Sequence, residues 1–115
     1  MKNLTKQQIF NKIWKRSETG VKALNNGVCS YRTSDGQKCF AGVLIKNKYY
    51  KKELEGNNAS SDMVKPVLKK SGIPTDGETL TFINKLQIVH DAYSPRNWEL
   101  ELREIAQRYG LKVPA

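Results

Sequence analysis

Hydrophobic positions recur at helical spacing near both ends of the chain. Ile9, Phe10, Ile13 and Trp14 fall at i, i+1, i+4 and i+5, one face of a helix with a 3.6-residue period. Thr5 and Gln8 precede them as a capping-box pair, two side chains that can satisfy each other's free N–H groups. Lys6, Lys12, Lys15 and Arg16 take the polar positions, and Gly20 ends the pattern. Toward the other end, Trp98, Leu102, Ile105 and Tyr109 form a second stripe. Ser94 stands there as N-cap and Pro95 at the first helical position, where a missing N–H costs nothing. Glu99 and Glu101 at its start, with Arg108 and Gly110 at its end, agree with the helix dipole and a glycine stop. Phe82, Leu86, Val89 and Tyr93, with Leu80 and Ile83 beside them, predict another helix over about 78–92, behind a turn at 73–77. A shorter one holds Met63, Val64, Val67 and Leu68, capped by Asp62, with Pro66 in its first turn and Gly72 past its end.

Between these helices the period changes. Asp35-Gly36 is a hairpin-turn signal, because both central residues of a two-residue turn need positive φ. Placing the turn there predicts strands over about 28–32 and 38–41, pairing Ser34 with Gln37, Thr33 with Lys38 and Arg32 with Cys39. The segment 21–26 is ambiguous, short and weakly apolar. Phe40 to Ile45 is a continuous apolar run that fits a short buried helix, since a hairpin needs a cover for its apolar face. Gly56 to Ser61 is a loop of small polar residues. The order predicts a small α-rich α+β single domain over 1–115, an antiparallel β-hairpin packed on four or five helices.

The hairpin register decides the role of the two cysteines. Cys29 falls three residues beyond the partner of Cys39, about 10 Å away at roughly 3.4 Å per residue, and on the opposite face. A disulfide requires Cα atoms within about 7 Å. The register therefore predicts two free thiols and no two-cysteine metal site.

Composition narrows the class. Ten aromatic residues and 38% apolar content in 115 residues are too rich for a disordered chain. No apolar run approaches the roughly 18 residues of a membrane span, and the first residues carry no secretory pattern, so a cytoplasmic protein without a membrane partner is expected. Charge is uneven. Residues 1–55 hold 12 Lys/Arg against 4 Asp/Glu, a net +8, whereas residues 56–115 hold 8 against 7, a net +1. A positive face on one half suits a polyanionic partner, a nucleic acid or an acidic host protein.

Cys29, Tyr31, Arg32, Gly36, Lys38, Cys39, Gly42, Leu44 and Ile45, in that order, followed by Leu86-Gln87-Ile88-Val89-His90-Asp91 and Trp98, resemble a pattern found in small uncharacterised phage- and prophage-encoded proteins. Phe40 departs from that pattern, which has a small residue after the second cysteine. The resemblance implies phage origin and action inside a bacterial host. It implies no activity.

Catalytic chemistry has little foothold. Cys39, His90 and Asp91 are the residue types of a thiol nucleophile, a base and an orienting acid, but Asp91 directly follows His90 on a helix and is expected to point elsewhere. One histidine and two cysteines on opposite hairpin faces make no zinc set, and no phosphate-binding glycine loop is present. A non-enzymatic binding module without cofactor or metal is the expectation, with a small Cys/His hydrolase as a third reading. The candidate binding residues are Lys46, Lys48, Lys51 and Lys52, which can neutralise phosphates, and Tyr49 and Tyr50, which can stack on bases. Arg32, beside the turn, either adds a phosphate contact or pairs internally with Asp35.

Overall fold

The computed structural model describes residues 3–25 and 27–114, an α+β chain of four α-helices and one two-stranded antiparallel hairpin. Helix α1 (Lys6–Ser17) starts on the Thr5/Gln8 box: Gln8 N–H donates to Thr5 Oγ1 at 3.1 Å, and Thr5 N–H to Gln8 Oε1 at 2.9 Å. Its apolar stripe is buried as the spacing predicts. Arg16 is not on the solvent face. It is buried, and its guanidinium donates to the carbonyls of Lys38 and Val21 and to Thr19 Oγ1, tying the end of α1 to two loops.

The strands are β1 (Leu24–Asn25) and β2 (Val28–Cys29), with Leu24 opposite Cys29 and Asn25 opposite Val28. Two residues of the ambiguous segment, Leu24–Asn25, are thus a strand, with residues 26 and 27 between the two. Asn26 lies outside the described residues. The hairpin expected at Asp35-Gly36 shrinks to one isolated bridge, Arg32 with Lys38. This shifts the predicted register by one residue. The cause is local: Thr33 N–H donates to Gln37 O at 3.0 Å, Gln37 N–H to Thr33 Oγ1 at 2.9 Å, and Thr33 Oγ1 to Asp35 Oδ1. Hydroxyl and carboxylate build their own turn, widening the loop to five residues. Cys39 then leaves the ladder and enters the core beside Phe40.

The apolar run 40–45 is buried, as its composition requires, around a single 3-10 turn at Gly42–Leu44. Gly42 has to be a glycine there, because a Cβ would fall well inside contact distance of the Tyr31 carbonyl oxygen. Two more 3-10 turns, Asn47–Tyr49 and Lys52–Leu54, carry the basic segment. Helix α2 (Val64–Lys70) is capped by Ser61 Oγ, which accepts from Val64 N–H at 3.2 Å, and not by Asp62. Asp76 caps α3 (Gly77–Ala92), accepting from Thr79 N–H at 3.1 Å and Thr79 Oγ1 at 2.7 Å. Tyr93 is the exposed C-cap of α3, off the buried stripe. Helix α4 (Pro95–Tyr109) stops at Gly110 with φ 66°, but the Ser94 side chain makes no cap bond to its backbone. Helix α4 packs on α3 and α1. Phe40 meets Trp98 edge-on at 4.9 Å at the centre.

Candidate functional site

Two recesses are lined in part by adjoining residues of the segments 29–34 and 50–58. The first is an open groove of about 710 Å³ lined by Asn25, Arg32, Thr33, Tyr50, Lys51 and Lys52, with Ser34. Four of the candidate binding residues therefore meet there: Arg32, Tyr50, Lys51 and Lys52. No carboxylate is in the lining. Arg32 does not pair with Asp35. Its Nη1 donates to Asn47 Oδ1 at 2.8 Å and its Nη2 to Ile45 O at 2.6 Å, and its guanidinium lies 4.9 Å over the Tyr50 ring. Lys38 Nζ reaches the same Asn47 oxygen at 3.4 Å. Burial first, then the charge of Arg32, hold Lys38 below the ordinary lysine value. Lys48 and Tyr49 form a separate patch with Lys70, the two ammonium groups 5.1 and 5.8 Å from the ring centre. Lys46 is exposed beside them in sequence, and its N–H donates to Ser71 Oγ at 3.0 Å.

Both tyrosines are half-buried against the core, so they are part packing and part surface. The group that organises this region is Glu55, which carries no signal in the sequence beyond being a carboxylate at the end of a cationic run. Its Oε1 accepts from Tyr31 N–H at 2.8 Å, and its Oε2 from Arg32 N–H at 3.1 Å and Tyr50 Oη at 2.6 Å. The chain beyond β2 has no ladder partner at Tyr31, so a carboxylate supplies the acceptors that a strand would. Burial, with the bond to Glu55, pushes the Tyr50 hydroxyl up to about 12.

The second recess is a cleft of about 220 Å³ lined by Cys29, Tyr31, Cys39, Glu55, Gln87 and Asp91 with the 56–58 loop. The two cysteines, expected on opposite faces, line one cleft because the widened loop turns Cys39 inward. Both are free. Burial, and then a hydrogen bond to Asp91, push the Cys29 thiol up to about 11; burial pushes Cys39 up to about 12, against the pull of the Gly42 N–H donated to its sulfur. Both are neutral thiols near pH 7, the protonated and weakly nucleophilic form.

Asp91 does orient His90: Nδ1 lies 2.8 Å from Oδ1. His90 is fully buried, stacked on Trp98 at 5.4 Å and edge-on to Phe40 at 5.2 Å, while Asp91 sits half-exposed on the adjoining flank and reaches back. Gln87 Nε2 donates to the same oxygen at 2.7 Å. Burial raises the Asp91 carboxyl, but bonds from His90, Cys29 and Gln87 together outweigh it and hold it below the usual carboxylate value. It is Cys29, and not Cys39, that comes together with His90 and Asp91, with ligand atoms within 4.8 Å of one another. Their hydrogen bonds do not fit a metal ion. His90 Nε2 accepts from Ala23 N–H at 3.0 Å, so the ring proton sits on Nδ1 and is directed at Asp91. Coordination through Nδ1 would move that proton to Nε2, against the Ala23 N–H donor. Cys39 and His90 are not joined by a hydrogen bond among the described residues; Cys39 bonds Gly42 instead.

Among the described residues no helix is long and apolar enough to cross a membrane. No family model, curated protein or solved structure matches the chain.

Proposed function

We propose that the protein is a non-enzymatic binding module that holds the phosphate backbone of a nucleic acid on its basic N-terminal half. The observation that supports this reading is the open groove in which Arg32, Lys51 and Lys52 stand without a lining carboxylate, next to Lys38, which shares an amide oxygen with Arg32. Like charges that crowd one neutral acceptor repel, and an arriving phosphate relieves that repulsion. Arg32 supports the wall through Ile45 and Asn47, and Lys48, Lys51 and Lys52 are the exposed cations that supply contacts. The resemblance to small phage proteins adds the expectation that the polyanion is met in the host cytoplasm. A Cys/His hydrolase has weaker support, since both thiols are neutral and both nitrogens of His90 are engaged.

Fluorescence anisotropy on labelled oligonucleotides, from low to physiological salt, tests the reading. Log K falls by about 0.7–0.9 per log unit of salt for each phosphate neutralised. Replacing Lys48, Lys51 and Lys52 together with alanine flattens that slope by roughly 2–3 and leaves the melting curve in place. No binding at low salt refutes the proposal. Nuclease-resistant capture of one acidic host protein, without oligonucleotide binding, replaces it with the modulator reading.

A further inference from the structure

We infer that the cleft between β2 and α3 is a subsite for one amino-bearing nucleobase, with the Asp91 carboxylate accepting from the exocyclic amine. The inference rests on the phosphate-binding reading and adds to it a means of discriminating bases.

The cleft and the groove are lined by adjoining residues. Tyr31 lines the cleft and its neighbour Arg32 the groove; Glu55 lines the cleft and binds the hydroxyl of Tyr50, which lines the groove. A strand whose phosphates follow Lys51 and Lys52 lies on segments whose neighbouring residues line a second recess. At about 220 Å³ that recess is smaller than the roughly 300–1,000 Å³ of drug-sized sites, a space for a single flat ring. Its accessible lining includes the Tyr31 side chain, whose hydroxyl donates to Asn57 O, and the polarisable Cys29 sulfur, with Cys39 buried. Its polar groups set a preference. Glu55 takes three donors, from Tyr31, Arg32 and Tyr50. Asp91 takes bonds from His90 and Gln87 at Oδ1 and one from Cys29, but its side chain is 43% exposed, and a carboxylate has room for about four donors. The lining holds carboxylates and no cationic side chain, with Lys22 Nζ 3.2 Å from the Asp91 backbone carbonyl beside it, so it favours an N–H donor over a phosphate. Carboxylates accept from the cytosine amine in the same way in base readout. Uracil presents a carbonyl oxygen at that ring position and meets repulsion.

Oligo-dC and oligo-dU of equal length carry the same charge and differ in this group. Anisotropy competition at fixed salt should show oligo-dC bound roughly tenfold more tightly, within the range of one base contact. Asp91→Asn should remove the preference and keep the salt slope. Equal affinities in the native protein overturn the subsite while leaving phosphate binding intact. Failure of both strands to bind at low salt overturns the phosphate reading, and the subsite with it. A second measurement needs no variant: in the native protein oligo-dC, and not oligo-dU, should slow carbamidomethylation of Cys29. Protection by arginine amide in place of oligo-dC assigns the cleft to a protein side chain and overturns the inference.

Discussion

The link between His90 and Ala23 offers the sharpest test of how the structure is held. Both residues are fully buried, and the Ala23 N–H has its acceptor in His90 Nε2 at 3.0 Å. His90→Phe keeps an aromatic ring against Phe40 and Trp98 and removes both nitrogens. Asp91 loses one of its donors but is half-exposed and gains water in exchange. The Ala23 N–H has no such recourse. An orphaned buried donor costs about 1–3 kcal/mol, and the displaced aspartate bond adds a fraction, so a loss of roughly 2–3 kcal/mol is expected. Against a total stability of about 5–15 kcal/mol the variant should fold. Its midpoint in urea should fall without change in slope, and its melting temperature should drop by roughly 8–12 °C for a chain of this size. Amide exchange at Ala23 should rise above the loss explained by global unfolding. A variant within about 0.5 kcal/mol of the native protein, with the Ala23 amide still protected, would show that the ring nitrogens are dispensable.

Gly42→Ala should be among the most damaging single-methyl additions in the chain, since its Cβ meets backbone at Tyr31 and not a movable side-chain end; overpacking of this kind costs about 1–3 kcal/mol, and an unchanged thermal melt would contradict the close approach of the two segments. In the native protein at pH 8, iodoacetamide should label Cys29 slowly and Cys39 only after unfolding, with two carbamidomethyl groups per denatured chain by mass spectrometry. Because both thiols are raised, to about 11 and about 12, the folded state holds their protons more tightly than the unfolded one. Their contribution is complete below the ordinary thiol range and is lost as pH rises from there toward the folded values. A Cys39 that labels as fast as a free thiol at pH 8 contradicts its burial.

Local chemistry alone carried the helices. The Thr5/Gln8 box, the stripes of α1 and α4, the long apolar stripe of α3 and the Gly110 stop are patterns within four residues of each other, and helix bonds are equally local, so they could be read from residue order. The exposed lysines of the basic segment were legible for the same reason, whereas the buried Arg16 was not. The strands were not. The turn signal at Asp35-Gly36 was read as a two-residue hairpin, but the Thr33 and Asp35 side chains close a wider loop there. Acceptors from farther along the chain hold the segments around it: Asn25 Oδ1 takes Ser34 N–H, and Glu55 takes the Tyr31 and Arg32 N–H groups. A slip of one residue then exchanged the surroundings of Cys39. His90 shows the same division. Its spacing placed it beside the α3 stripe, yet only the tertiary structure brought Ala23, 67 residues away, to its Nε2 and Cys29 to its neighbour Asp91. Residue order settles which groups can bond nearby; which buried donor finds which distant acceptor is decided by how the packed segments leave them facing.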